Sequence, residues 1–182
     1  MIKVDLENTY DATYVSEDFK EYSFNSPLND EEVVELHVLI TEHPDELLPG
    51  VFNLAFGPIG NDGGIDDTIK VKHQNVGMVF STILLFAISF LQENMEKKFS
   101  IGIDGSNDLR ANLYHRMFRH NEDQLGDIIS TVGVDWYVRL LRNGDIEIDN
   151  NGAPFFKPRP EPFDLNRKSN DLYRYYMFSL TD

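Results

Sequence analysis

The strongest structural signal in the chain is the segment 76–91, VGMVFSTILLFAISFL, which is followed by the short segment 99–104, FSIGID. The apolar residues of the first segment are too continuous for a strand, and its length predicts a largely buried helix over 76–92. Asn75 is placed to cap this helix, and Lys97 and Lys98 favour its C-terminal end. The run is shorter than the roughly 20 apolar residues of a membrane span, so we expect no membrane segment.

The sequence before this helix predicts strands. Apolar residues alternate with polar ones in 34–41, and Phe52, Leu54 and Phe56 repeat the alternation up to Gly57. Asn61-Asp62-Gly63-Gly64 is a turn sequence, so we expect residues 67–73 to form a hairpin or a meander with 51–57. Residues 10–24 suit one or two short strands or a short helix. The N-terminal part, 1–68, is therefore predicted to be a strand meander.

After the helix the pattern alternates between strand and helix. Residues 99–103 predict a strand, and 108–119 a second helix whose apolar residues recur at helical spacing. Residues 135–141 and 145–149 predict a hairpin across Asn143-Gly144, and 154–162 reads as extended. Residues 171–180 predict a last strand or a tail helix. The prediction is one α/β (α+β) domain over 1–182, with strands to 68, a helix–strand–helix core at 69–120 and C-terminal strands beyond. Its single sheet is mixed, mostly antiparallel, and carries two main helices.

Charge is concentrated in the first third. The chain carries a formal charge of −15, and residues 1–68, with sixteen acidic and two basic residues, hold −14 of it. This balance argues against binding nucleic acid by phosphate neutralisation. It leaves open a solvated face, a surface for a basic partner and a site for a cationic amine. The absence of cysteine excludes disulfides, thiolate metal sites and a cysteine nucleophile. The start lacks a secretory signal pattern, so we expect a cytoplasmic protein.

Two motifs point to acyl transfer. Gln74-Asn75-Val76-Gly77-Met78-Val79 enters the long helix, and Asn107 is followed by Leu113-Tyr114 in the next one. They resemble the (Q/R)-x-x-G-x-(G/A) loop and the N-x₅-L-Y segment of the GNAT superfamily of acyl-coenzyme A N-acyltransferases, although Val79 stands where Gly or Ala belongs. The resemblance implies a GNAT-like fold. It implies that Gln74, Asn75, Gly77, Met78 and Val79, with Asn107, hold acetyl-coenzyme A, and that Tyr114 protonates the departing thiolate.

A second pattern is more specific. Phe52-Asn53-Leu54-Ala55-Phe56-Gly57, the Asn75-x-Gly77 helix start with Thr82, and Gly105-Ser106 with Arg110, Leu113 and Tyr114 span residues 50–120. This pattern resembles a bacterial family of unknown function, which brings no assigned activity. It implies that Gly105, Ser106, Arg110 and Tyr114 form one constellation. Backbone donors and a guanidinium at a helix N-terminus suit an anion, and a helix cap with a structural Arg is the alternative.

The sequence therefore supports two functions. The first is acyl transfer to a small-molecule or protein amine, with a carboxylate such as Glu35, or a water, accepting the amine's proton. The second is a non-catalytic acidic protein that binds a basic partner, for instance a toxin–antitoxin or phage–host conflict component. The aromatic cluster around Trp136 and Tyr173 is core or a homodimer surface. The five histidines lack metal-ligand spacing, so no metal is expected.

Overall fold

The computed structural model describes residues 2–66, 71–105 and 107–181. Eight strands form one mixed sheet in the order β1-β2-β3-β4-β5-β8-β6-β7, which confirms the predicted α+β class. The strands are β1 Ala12–Val15, β2 Glu21–Pro27, β3 Val33–Glu42, β4 Val51–Gly57, β5 Ser100–Asp104, β6 Ile129–Tyr137, β7 Lys157–Pro162 and β8 Tyr175–Leu180. The helices are α1 Val76–Glu93, α2 Asp108–His120 and α3 Glu122–Leu125, and Met95–Lys97 is a 3₁₀ turn.

The pair β4–β5 is the parallel one, and it sits in the middle of the sheet. The connection from β4 to β5 contains α1, and a crossover of this kind makes its flanking strands parallel. Strands β1 to β4 form an antiparallel meander on one side, and β8 lies between β5 and β6 on the other. The pairing of neighbouring strands is therefore antiparallel on both sides of the sheet and parallel at β4–β5.

Helix α1 forms the centre of the core. Asn75 caps it by accepting the Met78 N–H at 2.9 Å, and the helix buries most of its apolar side chains. By length and composition α1 is apolar enough to cross a membrane, but 61% of its residues are buried inside the protein. Its burial is that of a core helix.

The two faces of the sheet are packed unequally. The larger core lies between the sheet and helices α1 and α2, with Phe24, Leu54 and Phe178 among its members. The smaller cluster lies on the opposite face and consists of Leu48, Val51, Val134, Tyr175 and Met177. Neighbouring residues of β8 fall in different clusters because successive side chains of a strand point to opposite faces.

One predicted pairing is wrong, and a second forms only in part. The expected hairpin between 51–57 and 67–73 fails in its described part, because His73 bridges Leu28 instead; residues 67–70 lie outside the described part of the chain. The hairpin predicted across Asn143-Gly144 is present beside its turn, where Leu140 bridges Ile146 and the Glu147 N–H donates to the Arg139 carbonyl. It does not extend to residues 135–137, because β6 pairs with β7 along Val132–Tyr137. Local alternation of apolar and polar residues predicts which segments are extended, but it does not predict which strands pair with each other.

Candidate active-site cleft

The cleft arises because β4 and β5 separate. They pair in register only from Val51↔Ser100 to Asn53↔Gly102, although both strands continue beyond that point. Tyr175 of β8 crosses β5 at this place: a Cβ on Gly102 would lie 2.1 Å from its ring, so only glycine leaves room there. The Tyr175 hydroxyl then donates to Asn53 Oδ1 at 2.5 Å. Tyr175 thus fixes the point at which the two strands diverge.

Beyond this point lies an open cleft of about 720 Å³. Its walls come from both faces of the sheet, since four consecutive side chains of β4 line it, together with residues of α2 on one side and of β6 and β8 on the other. The lining residues are Thr41, His43, Asn53, Leu54, Ala55, Phe56, Ile103, Asp104, Arg110, Tyr114, Trp136, Arg174 and Tyr175.

Aromatic rings and one carboxylate shape the side of the cleft away from the helices. The rings of His43 and Trp136 stand edge-on to Tyr175, with centroids 5.3 and 5.8 Å away. Burial lowers the pKa of His43, and the charges of the Asp45 and Asp104 carboxylates partly offset this shift. The imidazole is therefore neutral at pH 7. Its Nδ1 accepts the Asp45 N–H at 3.0 Å, which leaves the proton on Nε2. Burial, and then the charge of Asp104, raises the pKa of Tyr175.

Helix α2 brings part of the predicted constellation to the cleft. Tyr114 and Arg110 line it, and Tyr114 is nearly buried at 6% exposure. Asn107 caps the helix by accepting the Arg110 N–H at 2.9 Å, and the Gly105 N–H donates to the Arg174 carbonyl. Ser106 lies outside the described residues. Of the predicted constellation, Arg110 and Tyr114 therefore line the cleft together, whereas Gly105 is not among the lining residues and Asn107 caps the helix.

The predicted pyrophosphate loop lies elsewhere. None of Gln74, Asn75, Gly77, Met78 and Val79 is among the residues that line the cleft. Gln74 donates its side-chain amide to the Leu28 carbonyl, and Val79 is buried in the core. The Met78 N–H donates to the side-chain oxygen of Asn75, and the Val79 N–H donates to its backbone carbonyl.

The chain's own N-terminal segment covers this helix start. A Cβ on Gly77 would lie 2.7 Å from the Lys3 carbonyl oxygen, so glycine here admits backbone of the same chain. The Asp5 N–H donates to Ser81 Oγ at 2.8 Å, and the Tyr10 N–H to Thr82 Oγ1 at 2.9 Å. The space that a phosphate needs at this helix start is therefore filled by protein.

Glu35 is not in the cleft. It lies on the exposed face of β3, where it accepts hydrogen bonds from Ser23 at 3.0 Å and Thr13 at 3.2 Å and faces His37 Nε2 at 3.4 Å. These bonds, the one from Ser23 first, lower the pKa of Glu35. The structure thus separates Glu35 from Tyr114, and the carboxylate that lines the cleft is Asp104.

Sequence reasoning did not single out several cleft residues. Asp104 was predicted only to end a strand, Trp136 was assigned to the core or a homodimer surface, and His43, Arg174 and Tyr175 carried no motif. Asn53 and Gly102 offered the one usable signal, since a polar residue and a glycine inside apolar strands often mark a close approach of another group. In the part of the chain that the structure describes, no three His, Asp or Glu side chains are grouped to hold a metal ion.

Comparison with known proteins identifies the family. A family of unknown function, DUF6934, matches residues 6–144. The chain therefore belongs to this family, which confirms the resemblance seen in the 50–120 pattern. No curated protein and no solved structure matches the chain.

Proposed function

We propose that this protein transfers an acyl group from an acyl thioester such as acetyl-coenzyme A to an amine, inside the cleft between β4 and β5 and in the cytoplasm. The single observation that carries the proposal is a parallel strand pair that opens beyond Asn53 with Tyr114 at the opening. In the GNAT superfamily, which the sequence resembles, a strand splayed from its neighbour also leads into a helix. The parallel pair with α1 in its crossover supports a distant GNAT-like relationship.

The geometry of β4 suits an extended donor. Residues 54–57 pair with β3 on one edge, while the β5 register ends at Asn53. The other edge of β4 therefore faces the cleft, where backbone groups are available to an amide-bearing thioester arm in the manner of an added strand. The phosphate end of the donor has no room at Gln74–Val79 while Lys3 covers Gly77, so the proposal rests on the cleft alone.

The cleft contains groups for both proton transfers. The amine nitrogen attacks the thioester carbonyl carbon, the C–S bond then breaks, and the Tyr114 hydroxyl gives its proton to the departing thiolate sulfur. Asp104, rather than Glu35, accepts the proton that the amine loses, directly or through water. The neutral His43 presents an Nε2–H at the same cleft, suited to donate to an oxygen of the acceptor.

A second candidate is a non-catalytic protein that binds a basic partner. It is favoured by the covered start of α1, since a chain that fills its own phosphate site has no use for a nucleotide-bearing donor there. The acidic residues of the first third would then form the binding surface. Acetyl-coenzyme A would leave the stability of such a protein unchanged.

Thermal unfolding with acetyl-coenzyme A tests the proposal. A donor at about 100 times its Kd stabilises the protein by roughly 2.7 kcal/mol. Ala55→Phe places a ring in the cleft, and Ala12→Phe is the matched control, because Ala12 is an exposed strand alanine outside the cleft. We expect the stabilisation to be lost in Ala55→Phe and retained in Ala12→Phe.

Thiol release with a panel of primary amines then tests the chemistry. Removal of a general acid typically costs a factor of 10² to 10⁴ in rate, so Tyr114→Phe should bind the donor and release thiol about 10²-fold more slowly. Tyr137→Phe, at an exposed tyrosine, is the control. No stabilisation at millimolar acetyl-coenzyme A would reject the enzyme and favour the basic partner.

A further inference from the structure

The feature that the proposed function leaves unexplained is an arm, residues 138–156, between β6 and β7. Its three short segments are joined by bridges at Leu140↔Ile146 and Ile148↔Pro154. The Glu147 N–H donates to the Arg139 carbonyl, and the Phe155 N–H to the Glu147 carbonyl. Turns with Gly144 at φ +90° and Gly152 at φ +81° connect the segments. The arm is therefore a small three-stranded ribbon.

The arm exposes its apolar face. Bridged residues lie on the same face, and alternation adds Phe156 to it. Leu140 is 72% exposed, Ile148 58% and Phe156 55%. Five of the fifteen exposed large hydrophobic side chains among the described residues fall within these nineteen positions, namely Leu140, Leu141, Ile146, Ile148 and Phe156.

The polar face of the arm is the more covered one. Glu147, 19% exposed, accepts from Arg139 at 3.0 Å and from Lys157 at 2.8 Å. The Lys157 ammonium also lies 4.7 Å from the centre of the Phe155 ring. The usual order, apolar inside and charge outside, is thus inverted, and a contiguous apolar surface of this kind marks an interaction site.

Charge identifies a second copy of this chain as the occupant. The molecule carries −15, so two copies repel over most of their surface, and most strongly over the acidic first third. Together with Lys157, which pairs with Glu147, the arm contains three basic and three acidic residues and is neutral. The arm joins β6 to β7, at the opposite end of the sheet from β1 to β4, so two identical chains that meet there keep their acidic first thirds apart and meet at little electrostatic cost.

The sheet edge beside the arm is unsuited to strand pairing, so the apolar face of the arm is the surface available for this contact. Pro158, Pro160 and Pro162 remove every second N–H donor from β7, the edge strand. An edge of this composition does not accept a further strand. We propose that two copies associate through the apolar faces of their arms, related by a two-fold axis, so that the same residues contact on both sides.

Sedimentation of the full chain from 1 to 200 µM tests the proposal. We expect the wild type to have twice the mass of the 21.0 kDa chain. Ile148→Glu should give a monomer with an unchanged circular dichroism spectrum and melting temperature, because Ile148 is exposed. Leu109→Glu is the matched control, at a residue 79% exposed on α2, and should leave the dimer intact. A monomeric wild type, or a dimer that survives Ile148→Glu, would overturn the proposal.

The absence of cysteine permits a second, independent measurement. Ile148→Cys should form a covalent dimer with a short bismaleimide in dilute solution, and Leu109→Cys should not. Flotation with zwitterionic vesicles distinguishes a lipid occupant: a wild type that floats as a monomer, with flotation lost in Ile148→Glu, would assign the face to lipid and refute the dimer.

Discussion

The starts of α1 and α2 have nearly the same local chemistry and opposite surroundings. Each is capped by an asparagine that accepts an N–H three residues later at 2.9 Å, Asn75 from Met78 and Asn107 from Arg110. The start of α1 is covered by Lys3, whereas α2 begins at the wall of the cleft, with Arg110 lining it. A cap motif therefore specifies where a helix begins, and distant packing decides whether a ligand reaches it.

The N-terminal segment that covers the start of α1 is hydrogen-bonded to side chains of both helices. Asn121, the C-cap of α2, accepts the Val4 N–H at 2.8 Å and donates to the Ile2 carbonyl at 3.1 Å and the Met117 carbonyl at 2.6 Å. Ser81 and Thr82 of α1 accept the Asp5 and Tyr10 N–H groups. The α1 start is thus closed by bonds that span more than 70 residues of sequence.

The largest expected effect comes from removing Asn121. The Asn121→Ala variant leaves several buried backbone groups without partners, and we expect a loss of about 3 kcal/mol in the free energy of unfolding. Asn94→Ala is the matched control, because Asn94 caps the C-terminus of α1 and bonds only within its own turns, to Phe90 and Lys97. It should cost about 1 kcal/mol. Equal losses in urea denaturation would show that the cover contributes nothing to stability.

The next effect separates two serines of α1. Ser81 and Ser89 each donate to the carbonyl four residues earlier, at 2.8 and 2.9 Å, but Ser81 also accepts the Asp5 N–H. Ser81→Ala should cost about 1.5 kcal/mol more than Ser89→Ala, since it leaves a partly buried N–H unpaired. Hydrogen exchange should show the Asp5 amide losing protection in Ser81→Ala alone. Unchanged protection there would contradict the assigned role.

Replacing each capping asparagine separates the two helix starts by ligand binding. Asn75→Ala and Asn107→Ala should each lower the free energy of unfolding by about 1 kcal/mol, because each removes one cap bond of the same length. Only Asn107→Ala should weaken binding of a cleft ligand, measured by titration calorimetry with acetyl-coenzyme A. A loss of binding in Asn75→Ala instead would place the ligand at α1.

The smallest effect is a pH dependence carried by α2. His115 is buried at 3% exposure, and burial lowers its pKa. The unfolded state then binds more protons as the pH falls below about 6.5, so stability is full above this pH and decreases below it. His115→Asn should reduce the slope of melting temperature between pH 7.5 and 5.5, while His120→Asn, at an exposed position of the same helix, should preserve it. His43 and His73, whose pKa values burial also lowers, keep part of the slope in both variants.

Predictions from local pattern held where one periodicity runs uninterrupted. Helix α1, predicted over 76–92, is Val76–Glu93, and the strand predicted at 51–57 is β4 with the same bounds. Helix α2 and strand β5 lie within a residue of their predicted limits. They were predictable because burial of one face imposes a repeat of 3.6 or 2 residues on the sequence itself.

The site was predictable only in part. Tyr114 and Arg110 follow from a motif, since both lie on one short helix whose cap and spacing are local. Asp104, His43 and Tyr175 do not, because they meet only after β3, β5 and β8 are placed in the same sheet. The hairpin predicted across Asn143-Gly144 forms only beside its turn for the same reason, because the choice of β7 as the partner of β6 depends on contacts far along the chain.

The segments, their caps, the acidic first third and the family resemblance are all present in the amino-acid sequence. The tertiary structure alone decided that β4 and β5 separate after Asn53, that Tyr175 passes over Gly102, and that Lys3 closes the start of α1. The physical reason is one of range. Periodicity and capping act over a few residues and leave a mark in the sequence, whereas close packing joins residues more than a hundred positions apart and leaves none.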